Sequence, residues 1–176
     1  MTKLSTIIKQ LEERNPLPPL CPKEDWNSEL TREIEEMSGK DLTGEDNSSQ
    51  LKNQAVKSAL LLWNDDLYPS HTISQNIHNE VGSYLHGIMH RREGDFSNAK
   101  YWFSSVGIHP IFSSLYKQAS EISAEVKSWG KWDPNRYIDE VERVISGGIE
   151  LSQEGEVLRQ IQVLEMSLLL KYTLEG

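Results

Sequence analysis

Residues 80–103 have the sequence EVGSYLHGIMHRREGDFSNAKYWF, and this stretch decides the fold. Apolar residues recur at helical spacings on both sides of Gly94-Asp95. A glycine followed by an aspartate is typical of one helix that ends in left-handed geometry and a second that begins at a capping side chain. The pattern predicts two antiparallel helices, Glu80 to Glu93 and Phe96 to about Val106, joined as a helical hairpin.

The rest of the chain repeats this helical periodicity and almost lacks strand-like alternation. We therefore predict a compact all-α bundle of about eight helices, forming a single domain over residues 1–176. Residues 39–49 are expected to form a loop, and residues 110–129 one continuous helix. Residues 15–22 hold four of the seven prolines. They are predicted to form a stiff extended connector across the body of the domain.

Composition limits the classes of partner and location. The 176 residues carry a net charge of -9, which repels phosphate backbones and anionic lipids, so neither nucleic acid nor membrane is an expected partner. Cys21 is the only cysteine, which excludes an internal disulfide and fits a reducing compartment. No apolar run approaches the roughly 18 residues of a membrane span. A cytoplasmic location is the resulting prediction.

All five histidines lie between residues 71 and 109, inside a histidine-rich module of residues 60–112. Histidine is the side chain best suited to exchange protons near neutral pH, and its neutral ring is a common metal ligand. The module also contains basic, acidic and aromatic side chains. This concentration predicts the functional site, whose candidate residues are His71, His86, His90, Arg91, Arg92, Glu93, Lys100, Trp102 and His109, with His78 as a secondary candidate.

His86 and His90 are four residues apart, so their side chains project from the same face of the predicted helix. Glu93 lies one further turn along. We assign His86 and His90 as proton carriers or metal ligands, and Glu93 as a third ligand or an orienting group, which makes these three the catalytic candidates. The glutamate of the zinc-protease motif His-Glu-x-x-His is missing between the two histidines, so that mechanism is disfavoured.

Basic residues near the histidines suggest recognition of an anion. Arg91, Arg92 and Lys100 are predicted to hold a carboxylate or phosphate, although both arginines cannot point in the direction of His90. The alternative is that one arginine pairs at the hairpin corner and the other is solvated. Trp102 either lines the pocket or fills the core, and His71 and His109 are further ligand-binding candidates.

Gly87, Gly94, Ala99 and Phe103 stand at the intervals of one tetratricopeptide-like hairpin. No second copy at a period of about 34 residues is present, so a repeat array is not expected. The segment HGIMHRREGDFSNAKYWF, residues 86–103, also resembles the hallmark of an uncharacterised family of microbial proteins. That resemblance covers about residues 60–112, and it implies a recurring module without implying an activity or a cofactor.

Two hypotheses about function remain open. The first is a protein that binds a small polar or anionic molecule, with or without transforming it, in a pocket of His, Arg and Glu side chains. A divalent metal is considered as a cofactor there but is not the favoured outcome. The alternative is a non-catalytic tetratricopeptide-like module for protein interactions. Whether the protein is an enzyme is left open. The final helix, about residues 152–172, is apolar around much of its circumference and therefore forms either core or a homo-oligomer interface.

Overall fold

Helices provide all the regular secondary structure in the computed structural model, which describes residues 1–176. The all-α prediction is confirmed, with eleven helices instead of about eight. They are α1 (Lys3–Glu12), α2 (Ser28–Glu36), α3 (Gly39–Thr43), α4 (Gln50–Trp63), α5 (Leu67–Ser74), α6 (Glu80–Glu93), α7 (Phe96–Val106), α8 (Phe112–Ile122), α9 (Ala124–Ser128), α10 (Pro134–Ser146) and α11 (Gln153–Glu175).

The predicted hairpin forms as α6 and α7. Gly94 ends α6 with a φ of 86°, a left-handed conformation that glycine adopts without strain, and the side chain of Asp95 caps α7. Where the helices approach, a Cβ atom on Gly87 would lie 2.8 Å from ring carbons of Phe103. The close packing of α6 on α7 therefore requires glycine at this position.

Two local predictions were wrong. The expected loop at residues 39–49 contains α3, because Ser38 and Asp41 form a capping box that starts a short helix. The expected single helix at residues 110–129 is divided into α8 and α9. Ser123 is extended between them and its hydroxyl accepts a hydrogen bond from the amide of Val126, so it caps α9 instead of continuing α8.

The 37 buried apolar residues form one continuous cluster. The final helix, α11, packs against α4, α8 and α10, and it contributes Leu158, Ile161 and Leu169 to the cluster. This helix therefore belongs to the core. At 23 residues it is also the longest helix. Neither α11 nor any other helix has an apolar stretch of the length that crossing a bilayer requires.

The proline-rich connector of residues 15–22 contacts α6 and α11. The carbonyl oxygen of Pro19 accepts hydrogen bonds from Arg92 of α6 and Gln162 of α11. The amide of Leu20 donates to Glu150 at 2.7 Å, and the Leu20 side chain is fully buried. These contacts fix the connector to the core.

Candidate metal centre

Three of the five histidines converge where α5 meets α6. His71 belongs to α5, whereas His86 and His90 occupy successive turns of α6 and project from the same face. Their candidate ligand nitrogens all lie within 4.8 Å of one another. Two helices therefore contribute imidazole groups to one cluster. We call it the histidine cluster, and it consists of His71, His86 and His90.

The position of His71 depends on how α5 is held against α4. Ser58 of α4 and Ser70 of α5 are fully buried and exchange two hydrogen bonds, in which each hydroxyl donates to the carbonyl oxygen of the other residue at 3.0 and 2.9 Å. Ser70 directly precedes His71. The serine contact thus fixes the backbone from which the His71 ring extends toward α6.

The spacing of the rings suits shared coordination. Nε2 of His71 lies 3.0 Å from Nε2 of His86, with the two rings nearly perpendicular at 80°. The ring centroids of His86 and His90 are 4.7 Å apart, and those of His71 and His90 are 5.5 Å apart. Two nitrogens bound to one tetrahedral zinc ion are about 3.3 Å apart. Small side-chain rotations could therefore direct these nitrogens to a single ion.

Glu93 and Asn98 contact His90. Nδ1 of His90 lies 2.6 Å from Oε1 of Glu93, which is one turn further along α6. The amide nitrogen of Asn98, from α7, lies 3.2 Å from Nε2 and 3.5 Å from Nδ1 of the same ring. Because it is almost equidistant from both ring nitrogens, this amide lies away from the in-plane lone pair of either.

Trp102 covers His86. The indole and imidazole rings are stacked with centroids 3.9 Å apart and planes inclined by 12°. His86 and His90 are 5% and 7% exposed, whereas His71 is only partly buried. The cluster is therefore shielded by α7 and accessible to solvent on the side of His71. Trp102 lines the site, one of the two roles that the sequence left open.

The environment favours uncharged histidines. Burial, reinforced by the neighbouring His90 and His71, lowers the pKa of His86 from 6.5 to about 4. Burial and the proximity of His90 also lower the pKa of His71, although the carboxylate of Glu93 opposes this shift. Both rings are thus neutral near pH 7. A neutral imidazole has a free lone pair, which is the form that ligates metals.

Arg91 and Arg92 are committed elsewhere. Their side chains are 1% and 0% exposed, and each forms a buried ion pair: Arg91 with Glu165 at 2.7 Å, and Arg92 with Asp65 at 2.5 Å. The Arg91 guanidinium also lies 4.6 Å from the ring centre of Tyr137. The structure does not offer these arginines to an anionic ligand, because successive helical residues point in different directions and their charges are already paired.

The remaining candidates also lie apart from the histidine cluster. Lys100 pairs with Asp139 at 2.6 Å in an exposed ion pair between α7 and α10. Nδ1 of His109 accepts a hydrogen bond from the Ile111 amide, and burial lowers the pKa of His109. His78 is exposed between α5 and α6. These three residues therefore do not join the candidate centre.

Sequence reasoning missed the partners of the arginines. Glu165 is fully buried on α11, with Ile161 and Leu169 one turn away on either side. A carboxylate on such an apolar stripe signals a buried cation elsewhere in the chain, which here is Arg91. The contact between Asn98 and His90 was missed as well. No sequence signal indicates that the Asn98 side chain reaches His90 across the hairpin.

The principal cavities lie away from the histidine cluster. Of twelve surface cavities, the five principal ones have volumes of about 280 to 570 Å³, and none of these five is lined by a histidine. The largest, lined by residues of α8 to α11, includes Trp129 and Arg143. Of the side chains predicted to form one pocket, the structure therefore brings together only the histidine cluster and Glu93. The arginines are paired elsewhere.

The arrangement can chelate a cation through three imidazole nitrogens, with a carboxylate behind one of them. Three protein ligands leave one position of a tetrahedral ion for water or another small molecule. Comparisons of the chain with protein-family models, with curated proteins and with solved structures found no match.

Proposed function

We propose that the protein binds a transition-metal ion through His71, His86 and His90, and that a small polar or anionic molecule occupies the remaining coordination position. The observation that carries this proposal is the convergence of three imidazoles from two helices, all with ligand atoms within 4.8 Å. Imidazole nitrogen is a preferred ligand of zinc, copper, iron and nickel. Zinc accepts tetrahedral nitrogen ligands, so it suits a site of three imidazoles with one open position.

A cluster held only by hydrogen bonds explains these rings less well. A single hydrogen bond between the two Nε2 atoms, which are 3.0 Å apart, satisfies His71 and His86. It leaves His90 with a lone pair that no protein donor approaches along its axis. Burial, together with the neighbouring His90 and His71, lowers the pKa of His86 to about 4, so a further proton on this ring is disfavoured. A bound cation uses all three lone pairs at once.

The fourth position limits the chemistry. The principal cavities do not adjoin the histidines, so the exogenous ligand is small, such as water, hydroxide or a small anion. A zinc ion with three protein ligands lowers the pKa of its bound water to about 7. The site would therefore supply a hydroxide near neutral pH, which is the basis for hydrolysis or hydration of a small substrate.

The alternative, a tetratricopeptide-like interaction module, receives less support. Both helices of the α6–α7 hairpin pack against further helices: α6 against α4 and α5, and α7 against α10. The histidine cluster would also have no role in such a module. We therefore favour the metal-binding function.

Zinc binding to the purified 176-residue chain tests the proposal. After treatment with a chelator, the protein is titrated with zinc in the presence of a competing chromophoric chelator. We expect one zinc ion per chain, and a loss of affinity of at least 100-fold in each of the variants His71→Ala, His86→Ala and His90→Ala. His78→Ala is the matched control, because this histidine is exposed and lies outside the cluster.

Folding of each variant is checked by circular dichroism before the titration. Wild-type affinity in folded His71→Ala, or the absence of stoichiometric zinc in the wild-type chain, would contradict the proposal. Equal losses in His78→Ala and His71→Ala would show that binding is not specific to the cluster, and would contradict it too.

A further inference from the structure

We infer that Glu93 is a positioning residue, which holds the lone pair of His90 Nε2 toward the metal. This inference rests on the proposed metal-binding function. Nδ1 of His90 and Oε1 of Glu93 are 2.6 Å apart, a short distance typical of a charge-assisted hydrogen bond. An ionised carboxylate only accepts hydrogen bonds, so Nδ1 carries the proton. In the neutral ring, the lone pair is then on Nε2.

The location of Glu93 supports a role beyond helix formation. It is the last residue of α6, where the negative end of the helix dipole disfavours a carboxylate. Two basic residues also lie in this last turn, but both guanidinium groups are paired with other carboxylates, Arg91 with Glu165 and Arg92 with Asp65. The imidazole of His90 is therefore the polar contact that Glu93 makes.

Asn98 restricts the same ring from α7. Its amide nitrogen lies 3.2 Å from Nε2 and 3.5 Å from Nδ1 of His90, so it contacts the ring without occupying the axis of either lone pair. The ring is thus held between the carboxylate of its own helix and the amide of the neighbouring one. This leaves Nε2 as the nitrogen available for the metal.

A competing arrangement uses Glu93 as a direct ligand. His90, Glu93 and Asp95 also have candidate ligand atoms within 4.8 Å of one another. However, Asp95 already caps α7, because its side chain accepts a hydrogen bond from the backbone N–H of Asn98 at 3.2 Å, and Glu93 already accepts from Nδ1 of His90. Both carboxylates are exposed. We therefore place Glu93 behind His90 and not on the metal.

The test compares zinc affinity in variants of the 176-residue chain. Outer-shell partners of ligating histidines typically change metal affinity by about 10- to 100-fold. We expect a loss in this range for Glu93→Ala and a smaller loss for Glu93→Gln, whose amide oxygen still accepts from Nδ1. Asp95→Asn, which preserves the helix cap, is the matched control and should change affinity less than about 3-fold.

A second measurement does not depend on metal. Nitrogen-15 NMR of the metal-free chain, at neutral pH, reports which ring nitrogen of His90 is protonated. We expect the Nδ1-protonated form in the wild type and in Asp95→Asn, and a mixture of both forms in Glu93→Ala. A purely structural role for Glu93 would leave this tautomer unchanged.

The outcomes separate this inference from the proposed function. If Glu93→Ala keeps its zinc affinity within 2-fold and the Nδ1-protonated form, while His71→Ala loses binding, the inference fails and the metal site stands. If Glu93→Ala and Asp95→Asn both abolish binding while His71→Ala retains it, the metal lies on the competing arrangement. That result overturns both the inference about Glu93 and the proposed metal site at the histidine cluster.

Discussion

Helix α6 carries two polar clusters of opposite character, although their residues are adjacent in sequence. On one side, Arg91 and Arg92 are buried and each is bonded to a carboxylate. On the other side, His86 and His90 meet His71 with one exposed carboxylate, Glu93, at the edge. The ion pairs of the two arginines join distant parts of the chain, whereas the histidine cluster retains unused lone pairs.

The difference shows that some buried polar groups stabilise the fold, whereas others leave atoms free for binding. The arginine cluster consists of Arg14, Arg91, Arg92, Asp65 and Glu165. It connects the end of α1, the loop after α4, α6 and α11 through short ion pairs. Buried charges tolerate little rearrangement, because losing one partner leaves the other unpaired. The lowered pKa values of His71 and His86 keep these two rings neutral, so their lone pairs are available to a cation.

Removing Glu165 should produce the largest effect on stability. Glu165→Ala leaves Arg91 buried without its ion pair and removes the acceptor of the Tyr84 hydroxyl. We expect a loss of about 3 to 5 kcal/mol in the free energy of unfolding, measured by urea denaturation. Glu156→Ala, an exposed position on the same helix, should change it by less than about 1 kcal/mol. Similar losses of free energy in both variants would contradict the claim that the buried ion pair stabilises the fold more than an exposed charge does.

Zinc should stabilise the chain through the histidine cluster. A ligand that binds only the folded state at 100 times its dissociation constant contributes about 2.7 kcal/mol. For a chain of this size, that corresponds to a rise of about 5 to 10 °C in Tm. The rise should disappear in His71→Ala and persist in His78→Ala. A rise that survives the loss of His71 would place the zinc elsewhere.

The metal-free chain should lose stability as the pH falls from about 6.5 to about 4. In the folded state the pKa of His86 is about 4, below its unfolded value of 6.5, so the unfolded chain takes up the proton first. The contribution of His86 is complete above pH 6.5 and is lost as the pH falls to about 4. The difference between the two pKa values corresponds to about 3 kcal/mol, which solvent screening of this partly buried ring reduces to the order of 2 kcal/mol. Urea denaturation in a chelator, across this range, measures it. His86→Gln should show a shallower dependence, and an identical profile would contradict the low pKa.

The smallest effect is expected at the exposed ion pair between Lys100 and Asp139. Lys100→Ala should change the free energy of unfolding by less than about 1 kcal/mol, because solvent screens exposed charges. It should also leave zinc affinity unchanged. Thermal unfolding and the zinc titration together check this prediction, and a marked loss of zinc affinity would show that Lys100 supports the site.

Much of the fold was predictable because its signals are local. Gly94 and Asp95 fix the hairpin through their own backbone geometry and hydrogen bonds, independently of distant residues. The capping box at Ser38 and the break at Ser123 are equally local, but loop-like composition concealed the first and continuous apolar spacing the second. The all-helical fold class was therefore easier to predict than the number of helices.

The site was only partly predictable. The i, i+4 spacing places His86 and His90 on one face, and this pairing needs no tertiary information. The approach of His71 depends on how α5 packs against α4 and α6. The partners of Arg91 and Arg92 lie 74 and 27 residues away in sequence, so their burial followed from tertiary packing that no local pattern reveals.

A crystal structure of the zinc-treated chain, with anomalous scattering recorded at the zinc edge, tests the central claim most directly. The account predicts one strong peak per chain, about 2.0 to 2.1 Å from a ring nitrogen of each of His71, His86 and His90. It also predicts that Glu93 remains bonded to Nδ1 of His90. A peak bound by Glu93 and Asp95, or no peak at the histidine cluster, would contradict it.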